Sequence, residues 1–193
     1  MKKYVAESAL IVFSVLFALL INKLFDDYQQ EQRAQEALQS IKQEILRNQA
    51  IVNSWTTSHK AMLEKIVEYN QSDEIAVKQA ITESGYFDFS KISNEGSLVD
   101  ATLIDASWQT AINVGILKKV DYQTLEIITQ VYELQEVIND RTIQSIVTFY
   151  FQPSTHSPEN IEDTLMQLQL RFLELTGQEV VLTGLYANAL EVL

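Results

Sequence analysis

Near its N-terminus the chain carries one long apolar run, and further on it carries repeating apolar stripes. Residues 9–21 read ALIVFSVLFALLI, with Ser14 as the one polar side chain. Extended to residues 5–25, the run would make a helix of about 31 Å, close to the roughly 30 Å hydrocarbon core of a bilayer. A core helix of a soluble protein keeps a polar face, which this run lacks. The pattern therefore predicts a transmembrane helix within residues 1–25.

The residues around this run favour an uncleaved signal anchor. No A-x-A-like cleavage site follows it, and the absence of cysteine excludes lipoprotein processing. Lys2 and Lys3 precede the run, whereas Lys23 alone follows it closely. The positive-inside rule then favours an N-terminus in the cytoplasm, with residues 26–193 across the membrane; if the cell is a bacterium with two membranes, that is across the inner membrane and in the periplasm. The difference in basic residues is small, so the reverse topology stays open.

Four residues share one side of the predicted membrane helix and are candidates for packing against another membrane helix: Glu7, Ser14, Ala18 and Asn22. Glu7 has two interpretations, an ion or proton site within the membrane or a carboxylate at headgroup level. Its position about one turn into the helix, four residues after Lys3, favours the second.

Residues 26–70 predict a long amphipathic helix that leaves the membrane without a break. Apolar residues recur there at alternating spacings of four and three, which is the pattern of a helix-packing seam. The seam candidates are Leu38, Ile41, Ile45, Asn48, Val52 and Trp55. The seam serves either an oligomeric coiled coil or packing within the chain. The later apolar helices favour packing within the chain. Thr56, Thr57 and Ser58 predict a kink or a turn.

Further helices are predicted at about 73–83, 98–117, 121–151, 158–176 and 179–193, from apolar spacing and cap residues. Asp121 is the predicted N-cap of the helix at 121–151, and Gly85 is the predicted C-terminal cap of the helix at 73–83. Gly115 marks a close approach or a cap, and the helix at 158–176 is predicted to end at Gly177. Residues 86–97 are the least helical part, with an aromatic cluster suited to an extended segment or a plug. The fold class is all-α, a membrane anchor followed by an extramembrane helical bundle.

Charge divides the chain in the same way. The 193 residues hold 14 basic and 26 acidic side chains, a net charge of −12. Residues 1–25 carry +2 and residues 26–193 carry −14. An acidic domain repels phosphate backbones, so no nucleic-acid partner is expected. The predicted partners are the lipid bilayer and another membrane or envelope protein, or a further copy of the chain.

Motifs for chemistry are missing from the sequence. There are two histidines, His59 and His156, and they match no metal-ligand spacing. The glycines are isolated, so no phosphate loop is expected. Paired acids such as Glu162 and Asp163 stand at predicted helix starts, where they stabilise the helix dipole. We therefore expect no enzyme, no catalytic residue, no cofactor and no metal, and a solvated His156.

One further pattern lies in the second half of the chain. Trp108-Gln109-Thr110-Ala111 is followed by Gly115-Ile116-Leu117, and then by Leu125 and Tyr132. Together with the N-terminal span and the charged exit helix, this pattern resembles a family of uncharacterised bacterial single-pass membrane proteins with a helical soluble domain. The resemblance implies an architecture and an envelope location, and no catalytic residues.

Two functions remain as hypotheses. The first is a membrane-anchored interaction or scaffold protein, an accessory subunit of a larger membrane or envelope complex, whose partner is another such protein or a further copy of the chain. The alternative is an extracytoplasmic sensor, a ligand-binding bundle that signals through a partner.

Overall fold

The computed structural model describes residues 2–72, 75–93 and 96–193, with side chains described from Leu10 onward except those of residues 75–77. All regular elements in these ranges are helical, which confirms the all-α class. The α-helices are α1 (Lys2–Gln71), α2 (Ile75–Ala80), α3 (Ser90–Ser93), α4 (Ala106–Val114), α5 (Tyr122–Glu136), α6 (Gln144–Tyr150) and α7 (Ile161–Val192). Short 3-10 turns cover Ile116–Lys119, Pro153–His156 and Pro158–Asn160, and a π-helical turn covers Val137–Ile143.

Helix α1 is a single helix of 70 residues, about 105 Å long at 1.5 Å per residue. It continues through the threonines where a kink or a turn is predicted. The Thr56 hydroxyl donates to the Val52 carbonyl at 2.8 Å, and Thr57 donates to Asn53 at 3.0 Å. These hydroxyls are satisfied within the helix and do not end it. Residues 73 and 74, at the start of the helix predicted at 73–83, lie outside the described residues.

The core of the bundle lies between α1 and α7, which run antiparallel. Asn70 donates to Gln169 at 2.7 Å, while His59, earlier on α1, meets Glu179, later on α7. Helix α5 packs on α7 from another side. The largest fully buried side chains are Trp55, Tyr186, Phe87, Phe172 and the isoleucines Ile41, Ile45, Ile66, Ile81, Ile92, Ile128, Ile138 and Ile146.

Helix α7 corrects the prediction of two helices at 158–176 and 179–193. It runs without interruption from Ile161 to Val192 and contains Gly177 and Gly184. Each interior glycine destabilises a helix by about 0.5–1 kcal/mol relative to alanine. The buried seam on α7 continues at the same spacing beyond Gly177, so packing against the core outweighs the cost. A Cβ placed on either glycine would meet no atom within 4 Å.

The predicted helix at 98–117 is also wrong in its first half. Helix α4 covers only Ala106–Val114, and residues 98–105 are not helical. The backbone of this segment is instead held by side chains of other helices. Gly115 ends α4 with a φ of 69° and donates to the Ala111 and Ile112 carbonyls, which confirms it as the cap.

The predicted helix at 73–83 is shorter in the structure, because α2 ends at Ala80 and a turn follows. Gly85 therefore lies in that turn, with a φ of 81°, and does not end the helix. Asp121 is confirmed as the N-cap of α5. Its carboxylate accepts from the Thr124 amide at 2.9 Å, and that hydrogen bond holds the Asp121 pKa below its ordinary value.

The N-terminal part of α1 projects from the bundle. Among its described side chains the first buried one is that of Ala34, and the Lys119 ammonium contacts the Asp27 carboxylate at 3.0 Å where the bundle begins. The apolar side chains before that contact are exposed, and they are Leu10, Ile11, Val12, Phe13, Val15, Leu16, Phe17, Leu19, Leu20, Ile21, Leu24 and Phe25. Within the described residues, no helix contains a stretch that is both long enough and apolar enough to cross a membrane.

Candidate functional site

Four polar side chains on one face of α1 hold the chain between residues 98 and 108. They are Glu44, Asn48, Trp55 and His59, and we call them the clamp. Their spacings of four, seven and four residues place them on one face of a helix. The non-helical residues 98–105, which we call the clamped segment, and the start of α4 lie against this face.

Glu44 caps α4 from a different helix. Its carboxylate accepts from the backbone amides of Ser107 at 2.8 Å and Trp108 at 3.4 Å. The residue before the helix, Asp105, makes no capping bond with its side chain. The Tyr132 hydroxyl also donates to Glu44, at 2.6 Å. A carboxylate that is 4% exposed is thus satisfied by a helix N-terminus and a phenol.

Asn48 forms two hydrogen bonds with the backbone of one residue of the clamped segment, as a neighbouring β-strand would. Its amide nitrogen donates to the Ile104 carbonyl at 2.6 Å, and its oxygen accepts from the Ile104 amide at 3.0 Å. Asn48 also donates to the side-chain oxygen of Gln135 at 3.0 Å, and Tyr186 donates to the same oxygen at 3.0 Å. This network joins α1, the clamped segment, α5 and α7 at one buried point.

His59 and Trp55 bind the start of the clamped segment. Trp55 Nε1 donates to the Asp100 carboxylate at 2.9 Å. His59 Nε2 donates to the Leu98 carbonyl at 2.7 Å, and His59 Nδ1 lies 2.5 Å from Glu179 Oε1. Because the Leu98 carbonyl can only accept, Nε2 is the donor in that hydrogen bond.

The His59–Glu179 pair is completely enclosed. Both side chains are 0% exposed, and the Phe172 ring packs edge-on against the imidazole. The second oxygen of Glu179, Oε2, has no hydrogen-bond partner among the described residues. A buried oxygen without a hydrogen-bond partner is destabilising, so the pair carries an energetic cost within the described core.

Burial also raises the pKa of two tyrosines in this network, Tyr132 and Tyr186, far above the ordinary value. For Tyr132 the adjacent Glu44 carboxylate raises the pKa further, because a phenolate beside a carboxylate would be repelled. Both phenols therefore stay protonated in the folded protein and act as hydrogen-bond donors.

A groove opens beside the clamp, between α4 and α5. Its volume is about 510 Å³. The stacked rings of Trp108 and Tyr132, with centroids 5.3 Å apart, lie at its wall. The carboxylates that line it are Asp105, Glu133, Glu136 and Asp140. Among the described residues, no group of three or more His, Asp or Glu side chains is arranged to hold a metal.

The acids and the histidine considered for chemistry have structural contacts. His156 is partly buried, and its Nδ1 accepts from the Phe87 amide at 3.1 Å, which corrects the prediction of a solvated ring. Phe87 belongs to the aromatic cluster that is predicted to form an extended segment or a plug, and its side chain is fully buried. Glu162 accepts from Lys78 at 3.0 Å on the surface, and Asp163 lies exposed in the first turn of α7.

The structure places the predicted seam inside the chain. Ile41, Ile45 and Val52 are fully buried, Leu38 packs at the edge of the core, and Asn48 and Trp55 belong to the clamp. The predicted membrane-packing residues lie apart from this site. Ser14, Ala18 and Asn22 are exposed on the projecting part of α1, and the side chain of Glu7 lies outside the described residues.

Sequence reasoning misses three members of this network: Glu44, Gln135 and Glu179. Glu44 resembles a flanking polar residue, yet it stands four residues before Asn48 on the same face. Gln135 stands seven residues after Ile128, and Glu179 seven after Phe172. Each therefore occupies a core position by spacing, and a polar residue at such a position is the signal that would find it.

Comparison of the chain with protein-family models, with curated proteins and with solved structures finds no match. The role of the clamp therefore rests on its contacts in this molecule. Those contacts join four helices, α1, α4, α5 and α7, and a non-helical segment through hydrogen bonds that fix one register. They assemble no nucleophile with its base among the described residues, and their chemical effect is to hold one arrangement of the bundle.

Asn48 supplies a direct test of the clamp. Asn48→Ala is expected to lower the free energy of unfolding by about 2–3 kcal/mol, because it leaves the Ile104 amide without a partner. Urea denaturation of the purified chain measures this difference. Asn53→Ala is the matched control, because Asn53 is exposed on the same helix, and a change within about 0.5 kcal/mol is expected. Equal effects of the two substitutions would refute the clamp.

Proposed function

We propose that this protein is a membrane-anchored helical scaffold. Residues 5–25 are embedded in the bilayer, and the bundle binds another membrane or envelope protein as an accessory subunit. In a bacterium, the anchor lies in the inner membrane with its N-terminus in the cytoplasm and the bundle in the periplasm. The side chains of residues 5–9 lie outside the described residues, so support for the anchor comes from Leu10 onward.

The observation that carries this proposal is the exposed apolar surface of α1 between Leu10 and Phe25. Leu10 is 70% exposed and Phe13 is 68% exposed, and no described part of the bundle covers them. A helix that is apolar on all sides is typically buried in protein or lipid. Exposure of this surface to water is unfavourable by about 25 cal/mol of free energy per Å² of apolar area. A bilayer removes that cost.

The polar groups of this segment are compatible with lipid. The Ser14 hydroxyl donates to the Leu10 carbonyl at 2.8 Å, so its donor is satisfied within the helix. Ser14 and Ala18 provide a small-xxx-small spacing, and Asn22 extends that side of the helix. These residues remain our candidates for contact with another membrane helix.

The proposed interaction role follows from the continuity of α1. One helix carries both the exposed apolar segment and the clamp, so the bundle is rigidly connected to its anchor. The clamp then fixes the rest of the bundle on that helix. Such an arrangement presents a surface in a defined orientation, which suits a structural subunit. The sensing alternative rests on the acidic groove alone, and we therefore prefer the scaffold.

The anchor is tested by adding charge to its centre. Leu16→Arg together with Leu20→Arg is expected to move the protein from the membrane pellet into the fraction released by alkaline carbonate. Each arginine at a bilayer centre opposes insertion by about 2.5–3.5 kcal/mol. Leu46→Arg is the matched control, because Leu46 is an exposed apolar residue of α1 within the bundle. Carbonate release of the wild-type chain would overturn the anchor.

A further inference from the structure

Helix α7 carries a second apolar stripe on the side opposite its buried seam. Met166, Leu170, Leu173 and Val180 are each about half exposed, with exposures of 49%, 55%, 49% and 54%. They follow the alternating spacing of four and three that positions residues along a helix–helix seam. We call this stripe, together with Gly177 and Gly184, the outer face. None of the described helices covers it.

The two glycines are unexplained within one subunit. Both lie in the interior of α7, where glycine weakens a helix, and nothing lies within 4 Å of a Cβ placed on either. Both belong to the outer face, seven residues apart. The lack of side chains there lets the backbone of a second helix approach closely.

Charge favours a second copy of this chain over a basic partner as the occupant of this face. Every position of the seam from Met166 to Ala187 is uncharged, in a chain whose net charge is −12. Two copies of an acidic domain repel each other wherever acids meet acids. They can approach over a face that has no charge, whereas a basic partner would select an acidic surface. Depletion of charge with retained apolar residues is the composition of an interface core.

We propose that the outer face of α7 is the interface of a parallel, two-fold dimer of this chain. Its direction rests on the proposed function. Copies anchored in one bilayer have α1 pointing the same way, so their α7 helices also run in the same direction. The symmetry axis then lies along the bundle, and each residue of the outer face meets its own counterpart.

Site-directed cross-linking tests the dimer, because the chain has no cysteine of its own. Met166→Cys and Leu173→Cys are made in the full chain, which is purified and reconstituted at low density into phosphatidylcholine and phosphatidylglycerol vesicles. Mild oxidation is expected to produce a disulfide dimer from both variants. Glu126→Cys is the control, because Glu126 is exposed on α5, and it is expected to stay monomeric.

Met166→Cys also reports direction. In an antiparallel pair centred on Leu173, the two copies of residue 173 would meet, whereas the two copies of residue 166 would lie about 20 Å apart. A disulfide needs Cα atoms within about 7 Å. Cross-linking at Leu173 without cross-linking at Met166 would overturn the parallel arrangement. Equal cross-linking at Glu126 would mark random collision and overturn the interface.

The substitution Gly184→Leu provides an independent test of the dimer. A leucine side chain would separate the two backbones, so dimerisation measured by light scattering in mild detergent is expected to weaken by about tenfold or more. Gly85→Leu is not a suitable comparison because of its positive φ, so Gln130→Leu, at an exposed site on α5, is the control. Unchanged mass for Gly184→Leu would refute the close approach.

The outcomes separate this inference from the anchor. A chain that resists carbonate extraction but stays monomeric retains the anchor and loses the dimer. A chain that is released by carbonate but cross-links at Leu173 alone retains an interface and loses the basis for its direction. In cells, a Leu173→Cys adduct with a different protein, absent from purified vesicles, would assign the outer face to that protein instead.

Discussion

His59→Leu is expected to lower the free energy of unfolding by about 3–5 kcal/mol, one of the largest effects of any single substitution in this protein. The change removes the hydrogen-bond partner of the Glu179 side chain, which is fully buried, and leaves the Leu98 carbonyl without its donor. Chemical denaturation monitored by the circular dichroism of the helices measures the difference.

The double variant His59→Leu and Glu179→Leu separates the pair from its surroundings. Replacing both members by apolar residues removes the buried carboxyl, so the double variant is expected to be more stable than His59→Leu alone. The surface pair Lys78 and Glu162 serves as the control, and its double-mutant cycle is expected to give a coupling below about 1 kcal/mol. If the two core substitutions simply add, the pair makes no coupled contribution and the prediction is wrong.

Alkaline pH is expected to unfold the protein because of Tyr132 and Tyr186. Both have a folded-state pKa above the ordinary value of 10.0. Below pH 10 each is protonated in the folded and the unfolded chain, and stability does not depend on its titration. Above pH 10 the unfolded chain releases these protons first. The free energy of unfolding then falls by about 1.4 kcal/mol per pH unit for each tyrosine.

Urea denaturation at a series of alkaline pH values measures this slope, and tyrosinate absorbance reports when the phenols ionise. Tyr186→Phe is expected to reduce the slope by one tyrosine's share, about 1.4 kcal/mol per pH unit. Tyr122→Phe is the control, because Tyr122 is 80% exposed, and the slope should not change. Ionisation of all tyrosines before any unfolding would contradict the enclosed phenols.

The helices that the sequence predicts well are those whose pattern and caps agree. The seam of α1 and the Asp121 cap of α5 follow from local spacing and from one side-chain hydrogen bond. The errors arise where contacts from distant parts of the chain outweigh local signals. Gly177 is a stop by its propensity, but packing against α1 extends α7 through it. Leu98 and its neighbours have helical spacing, but hydrogen bonds from buried side chains of α1 hold their backbone in a non-helical conformation.

Only part of the clamp can be predicted from the sequence, because its partners also lie in distant parts of the chain. Asn48 and His59 stand out as polar residues on an apolar seam, and that pattern indicates a special contact. Their partners cannot be inferred, because Gln135 and Glu179 lie 87 and 120 residues further along the chain. The helix end predicted at Gly177 also separates Glu179 from the buried seam of α7 to which it belongs. If that seam is extended through Gly177, it places the Glu179 carboxylate on the face that packs against His59 of α1.

The antiparallel pairing of α1 with α7 determines when this chain can fold during its synthesis. Helix α1 precedes α7 in the chain, and the part of its seam that packs on α7 stays uncovered until α7 emerges. The partner of His59 is residue 179 and that of Gln135 is residue 186, in a chain of 193 residues. Contacts of such long separation close slowly and leave apolar surface exposed in the meantime. A chain truncated before residue 179 is therefore expected to lack the main packing partner of its longest helix and to aggregate instead of folding.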